Sequence, residues 1–249
     1  MLKSKSLAAT VSNADPVQSA CAADYGEKLR AIAAEHACSQ HPLFEKLDST
    51  RLTQLQAARL LRNYDAHASV LRRYLLRAAA IMPEEAVPLV LENVRNEYGN
   101  GDYSKNHQEQ LRDLAWKSGI STALFFNAKV NTGIKAFIKA ARLYYCPGKG
   151  THCSGMKNPA IVAGAITATE ILAVKEFASM QKAFDSLGLA EHHWFHHVTI
   201  EEAHRDESVA LAKYFEEKHD AAKSVELGLM GILDANIYLY DGLLAALME

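Results

Sequence analysis

Apolar residues recur along most of this chain at alternating spacings of three and four, the pattern of helices that bury one face. Over 49–81 the stripe runs Leu60, Tyr64, Leu71, Tyr74, Ala78 and Ile81, and Pro83 stops it. Similar patterns predict helices over 23–38, 84–98, 104–117, 122–146 with Ser121 as N-cap, 159–187, and 221–248 with Asp220 as N-cap. Turn signals at His41-Pro42, Gly99-Asn100-Gly101 and Pro147-Gly148 separate them. The 159–187 segment is apolar on nearly all faces, which predicts a central helix. A seventh helix holds 196–207. No strand pair, internal repeat or linker interrupts the series. The expectation is an all-α, single-domain bundle of seven to eight helices over 23–249, preceded by a flexible arm at 1–22.

Composition narrows the function classes. The chain has 249 residues, 49% hydrophobic and 22% charged, with a formal net charge of -2. That balance allows a sizeable core and points away from nucleic-acid or membrane-surface partners. No apolar run is long enough to span a bilayer, and the first twenty residues lack the apolar centre of a secretory signal. The cysteines Cys21, Cys38, Cys146 and Cys153 are too few for a disulfide framework. Cys146 and Cys153 flank His152, but the spacing reads better as two ordinary thiols than as a zinc clip. A reducing cytoplasm is the expected compartment.

The candidate chemistry begins at 196–207, HHVTIEEAHRDE. His197, Glu201 and His204 fall at i, i+4 and i+7, one face of a helix. That face runs back to Ala190 and Trp194 and forward to Leu211 and Phe215, so it is the core-facing stripe. Glu202, Arg205 and Asp206 point elsewhere. Ionisable groups on a buried stripe are costly unless paired or metal-bound. The same test on other helices selects Glu97, which continues the stripe of Val87, Val90 and Val94, and His107, in line with Leu111 and Leu114. It also selects Glu170, among Ala163, Ile166, Thr167, Val174 and Phe177. Glu92 reads as solvated, Glu176 beside Lys175 as a weaker candidate, and His67 as a satisfied core histidine. Three carboxylates and three histidines exceed what one catalytic zinc needs and suit two iron or manganese ions.

This set resembles the heme-oxygenase-like diiron oxidases and oxygenases. The resemblance lies in Glu97, then His107 across a Gly-rich turn (LENVRNEYGNGDYSKNH), then Glu170 in a central helix, then His197-x3-Glu201-x2-His204. HPLFEKL ahead of a long helix resembles the family's N-terminal half. Many members carry aspartate where this chain has Glu201, and the Glu97–His107 interval is longer than in some. The resemblance implies a seven-helix heme-oxygenase-like fold without heme. It implies two Fe(II) ions with O2 as co-substrate, bound through Glu97, His107, Glu170, His197, Glu201 and His204. It implies oxidation of a small amino acid or carboxylate, by C–C or C–N cleavage, decarboxylation, nitrile formation or N-oxygenation. One branch consumes its own tyrosine; here the HPLF segment has Phe44 instead.

An anionic substrate needs a cation in the pocket, and Arg72, Arg73, Lys135 and Lys139 lie on fairly apolar helices. Phe125, Phe126, Tyr144, Tyr145 and Trp194 are aromatic residues able to shape it. The expected partner is a small molecule, and a homodimer is left open. Three other readings remain. Glu201-x2-His204 is also the signature of a ferritin-like diiron bundle, although its partner motif is missing. A metal-free relative on the same fold, in thiamin salvage or cofactor synthesis, leaves the six-residue set unexplained. A helical interaction module without chemistry binds no stoichiometric metal.

Overall fold

The computed structural model describes the backbone of residues 16–147 and 157–249, and the side chains of 25–147, 158–196 and 204–249. Among these residues there is no strand. Ten described α-helices follow one another: α1 (Pro16–Glu35), α2 (Pro42–Ser49), α3 (Gln54–Ile81), α4 (Val87–Glu97), α5 (His107–Lys117), α6 (Thr122–Asn127), α7 (Thr132–Tyr145), α8 (Lys157–Asp185), α9 (His197–His219) and α10 (Ala222–Met248). No described helix is long and apolar enough to cross a membrane.

The architecture is the all-α bundle that the pattern predicts, with four departures at helix ends, set by local caps and by contacts from distant residues. The first helix starts at Pro16, so residues 16–22 of the expected arm are helical. The expected helix over 49–81 starts later, at Gln54, because Thr53 and Gln56 form a capping box there. The short α2 precedes it, with Pro42 in its first turn. The expected helix over 122–146 is two. Asn131 caps α7 by accepting from the Ile134 N–H, and the buried Asn63 of α3 bonds both sides of the break, donating to the Lys129 carbonyl and accepting from the Asn131 N–H. Asp220 is not an N-cap. It adopts a left-handed conformation (φ 48) that closes α9, its N–H donating to the Phe215 carbonyl.

Central α8 packs on α10, α9, α7 and α2, and α10 also packs on α7 and α3. The α8–α10 contact is backbone to backbone. A Cβ on Gly164 would overlap the Val225 carbonyl, and one on Gly228 would overlap the Ile161 carbonyl. Thr167 of α8 donates to the Ser208 carbonyl of α9 (2.9 Å), which ties these helices beside the candidate site.

Candidate metal centre

Glu97 is the last residue of α4 and His107 the first of α5. The intervening chain reverses through three consecutive positive-φ residues, Gly99 (75°), Asn100 (53°) and Gly101 (91°). Gly99 is required: its left-handed φ penalises a side chain, and a Cβ there would stand 2.7 Å from the Asn106 nitrogen. Asn106 then caps α5, its Oδ1 accepting from the Gln108 N–H. The result sets His107 Nδ1 3.0 Å from Glu97 Oε1.

Glu97, His107 and Glu170 line one cavity with an empty volume of about 890 Å³, its open mouth included. The cavity follows about three turns of α3, from Tyr64 to Arg72 and Leu75, and its remaining wall is largely apolar. Glu170 is buried and accepts a hydrogen bond from Asn93 Nδ2 (2.6 Å), one turn before Glu97 on α4. His204 of α9 is buried as well. Burial lowers the pKa of its imidazole; the Glu97 charge opposes this and the His107 charge adds to it. His204 thus sits in the electrostatic neighbourhood of that pair and is biased toward the neutral form that binds metals. The side chains of His197 and Glu201 lie outside the described residues.

These groups fit iron. Donor atoms about 3 Å apart are what two adjacent ligands at right angles give with bonds near 2.1 Å, close to the Glu97–His107 spacing. Carboxylates and imidazoles together are the donor set of redox-active iron or manganese.

Three features lie otherwise than the sequence implies. Glu176 is buried against the same cavity, not near solvent, and accepts from Tyr240 (2.6 Å) and Tyr64 (3.3 Å). Burial raises its carboxyl pKa, against the pull of the two tyrosines. Among the four candidate cations, only Arg72 lines the cavity, while Arg73, Lys135 and Lys139 are exposed. Asp113, His192 and His193 form a cluster that sequence reasoning missed, their donor atoms within 4.8 Å of one another. His192 Nδ1 accepts from the Trp194 N–H (3.2 Å), so the neutral ring carries its proton on Nε2 and donates it to Asp113 Oδ2 (3.0 Å). Lys117 holds the same oxygen at 3.0 Å. That arrangement leaves His192 no lone pair for an ion and anchors the turn that carries Trp194 into the cavity wall.

His67 also lines the cavity and is fully buried. Burial pushes its imidazole down to about 3, against smaller upward contributions from the Asn63 backbone and the Glu97 charge. An unfolded histidine protonates near 6.5. Between these values the unfolded chain holds the extra proton, so stability falls as pH falls, by at most about 1.4 kcal/mol per pH unit. We expect His67→Phe to lose about 2 kcal/mol less than wild type between pH 7.5 and pH 5 in urea denaturation. Equal acid sensitivity would mean that His67 is protonated within the fold.

Residues 58–235 match the model of a family described as iron-containing redox enzyme. Two crystal structures of a CADD-like protein of unknown function from Nostoc punctiforme, at 2.00 and 1.35 Å resolution, superpose with TM-scores of 0.68 and 0.63. Each is 15% identical to this chain. They cover 92% and 91% of it, and it covers 99% and 96% of them. At that identity the likeness shows the shared fold. No curated protein matches the chain.

Proposed function

Because the chain belongs to the family of iron-containing redox enzymes, we propose that its cavity is the active site of an O2-dependent oxidase. It would use two ferrous ions to oxidise a small amino acid or carboxylate. The observation that carries this reading is the convergence of Glu97, His107 and Glu170, from three helices, on one largely apolar cavity. The buried His204 lies in the same electrostatic neighbourhood. With His197 and Glu201 from the same helix as His204, six donors are available, more than one ion with open positions requires.

Iron bound there would supply electrons to O2 and the oxidising power to break a carbon–hydrogen bond next to an amine or carboxylate. The chain does the rest. Asn93 fixes the Glu170 carboxylate by donating to Oε1, and the Gly99 turn holds His107 beside Glu97. Leu71, Leu75, Leu111 and Phe137 exclude water from the substrate's path. Burial favours the protonated form of Glu176, with the Tyr64 and Tyr240 hydroxyls as its hydrogen-bond partners.

Anaerobic titration with ferrous iron, read by Mössbauer spectroscopy, is expected to saturate at two ions per chain. O2 uptake should then rise on adding the substrate from a panel of amino acids and aliphatic carboxylates. Saturation at one iron with full turnover would remove the dinuclear reading. An iron-loaded protein whose O2 uptake answers to no member of the panel would remove the oxidase reading.

A further inference from the structure

We propose that Arg72 is the anchor for a substrate carboxylate, which makes the substrate an anion with an apolar body. This deepens the oxidase reading and rests on it. Arg72 sits on α3 where that helix lines the cavity, one turn beyond Ala68 and beside Leu71. Its Nη1 donates to Asn106 Oδ1 (2.8 Å) and its Nη2 to Gln108 Oε1, the residues on either side of His107. Both partners are neutral amides. Among the described residues no carboxylate pairs with this guanidinium. Asp65, the other charged group of α3 on the cavity, is taken by Arg62 (3.0 Å), Arg112 (3.5 Å) and Gln108 (2.8 Å).

The guanidinium is therefore held in place while its charge is left uncompensated, an arrangement that costs stability unless an anion completes it. Two donors remain. Arg72 Nε is buried and has no hydrogen-bond partner, and the same holds for the hydroxyl of Tyr98, whose ring lies under the guanidinium at 5.3 Å. Arginine presents its N–H groups as a planar fork that matches a carboxylate; with Nε covered by protein, a bound carboxylate would accept from the remaining Nη protons, and from Nε once a rotation of the side chain uncovers it. Tyr98 adjoins Glu97, and the Arg72 partners flank His107. A carboxylate anchored here would lie next to the candidate ligands, with the substrate body running along Leu71, Leu75 and Phe137. Holding the acid by its carboxylate fixes which carbon faces the metal centre.

The test uses iron-free protein, so that a carboxylate cannot bind through metal, and calorimetry with hexanoate and its neutral isostere hexanamide. Wild type should bind hexanoate about tenfold or more tightly than hexanamide. Arg72→Gln should bring the two affinities within about twofold. Arg72→Lys, which keeps the charge and loses the fork, should fall between them and guards against misfolding of the glutamine variant. Arg112→Gln alters a nearby arginine already paired with Glu109 and Asp65 and should keep the wild-type preference. Absent hexanoate binding, equal affinities in wild type, or a preference that survives Arg72→Gln would overturn the proposal. None of these measurements needs iron or O2, so their failure is distinct from failure of the oxidase reading.

Discussion

Replacing His107, Glu170 or His204 by alanine is expected to lower iron-dependent turnover by more than about a hundredfold, since even partners of metal ligands are worth 10–100-fold. Iron stoichiometry should fall with it, while the far-ultraviolet helical signal persists. The three variants should differ in stability. Glu170→Ala leaves the buried Asn93 amide without its acceptor and should cost about 1–3 kcal/mol in the iron-free protein. Glu170→Gln keeps an acceptor oxygen there, so it should recover most of that loss without recovering iron. This separates ligand loss from fold damage. Glu201→Ala is expected to lose the second iron selectively. His219→Ala is the control. It lies fifteen residues beyond His204 on α9, about 22 Å along the axis, and bonds the Tyr214 hydroxyl (3.1 Å). If His204→Ala loads iron and turns over like wild type, the inward face of α9 is not part of the centre.

The existence and type of the long helices were legible because their apolar periods are strong. The breaks were not, because each rests on contacts from far along the chain or on a single cap. Asn63 serves the Lys129–Asn131 break from more than sixty positions away. The left-handed Asp220 looks, in sequence, like an N-cap of the next helix, although it closes the previous one. At the site, the stripes of α4 and α5 pointed to Glu97 and His107, and the 3.0 Å approach between them follows from the Gly99–Gly101 reversal.

Glu176 shows where a helical wheel loses resolution. It is six positions from Glu170, on a different face, and the charged Lys175 beside it suggested solvent. Yet α8 is covered on nearly all sides, so two of its faces meet buried carboxyl partners, Asn93 on one and Tyr240 with Tyr64 on the other. Arg72 was one of four equivalent cations in sequence. What singles it out is the pair of amides at 106 and 108, which only the fold brings to it. The Asp113–His192 contact joins α5 to a turn seventy-nine residues away and leaves no local pattern.

Gly164→Ala and Gly228→Ala are each expected to cost about 3 kcal/mol or more, at or beyond the upper end for overpacking. The listener on either side is main chain: the Val225 carbonyl for Gly164 and the Ile161 carbonyl for Gly228. A side chain can rotate away from an added methyl, but a carbonyl within a helix cannot without moving the helix. Relief therefore requires α8 and α10 to separate, and these helices bury much of the core, including Ala165, Ile166, Leu229 and Ile232. For a domain of this size the loss corresponds to a fall in melting temperature of about 6–12 °C. Gly188→Ala supplies the contrast. Its φ is 70° and no atom lies within 4 Å of an added Cβ, so it carries backbone strain without a clash and should cost about 1 kcal/mol. The displacement should also reach the site. Glu170 lies six residues from Gly164 on α8, about 9 Å along the axis, so Gly164→Ala should weaken iron binding as well as stability. A Gly228→Ala protein as stable as wild type would mean that the two helices part without cost, and that their close approach does not hold α8 in position.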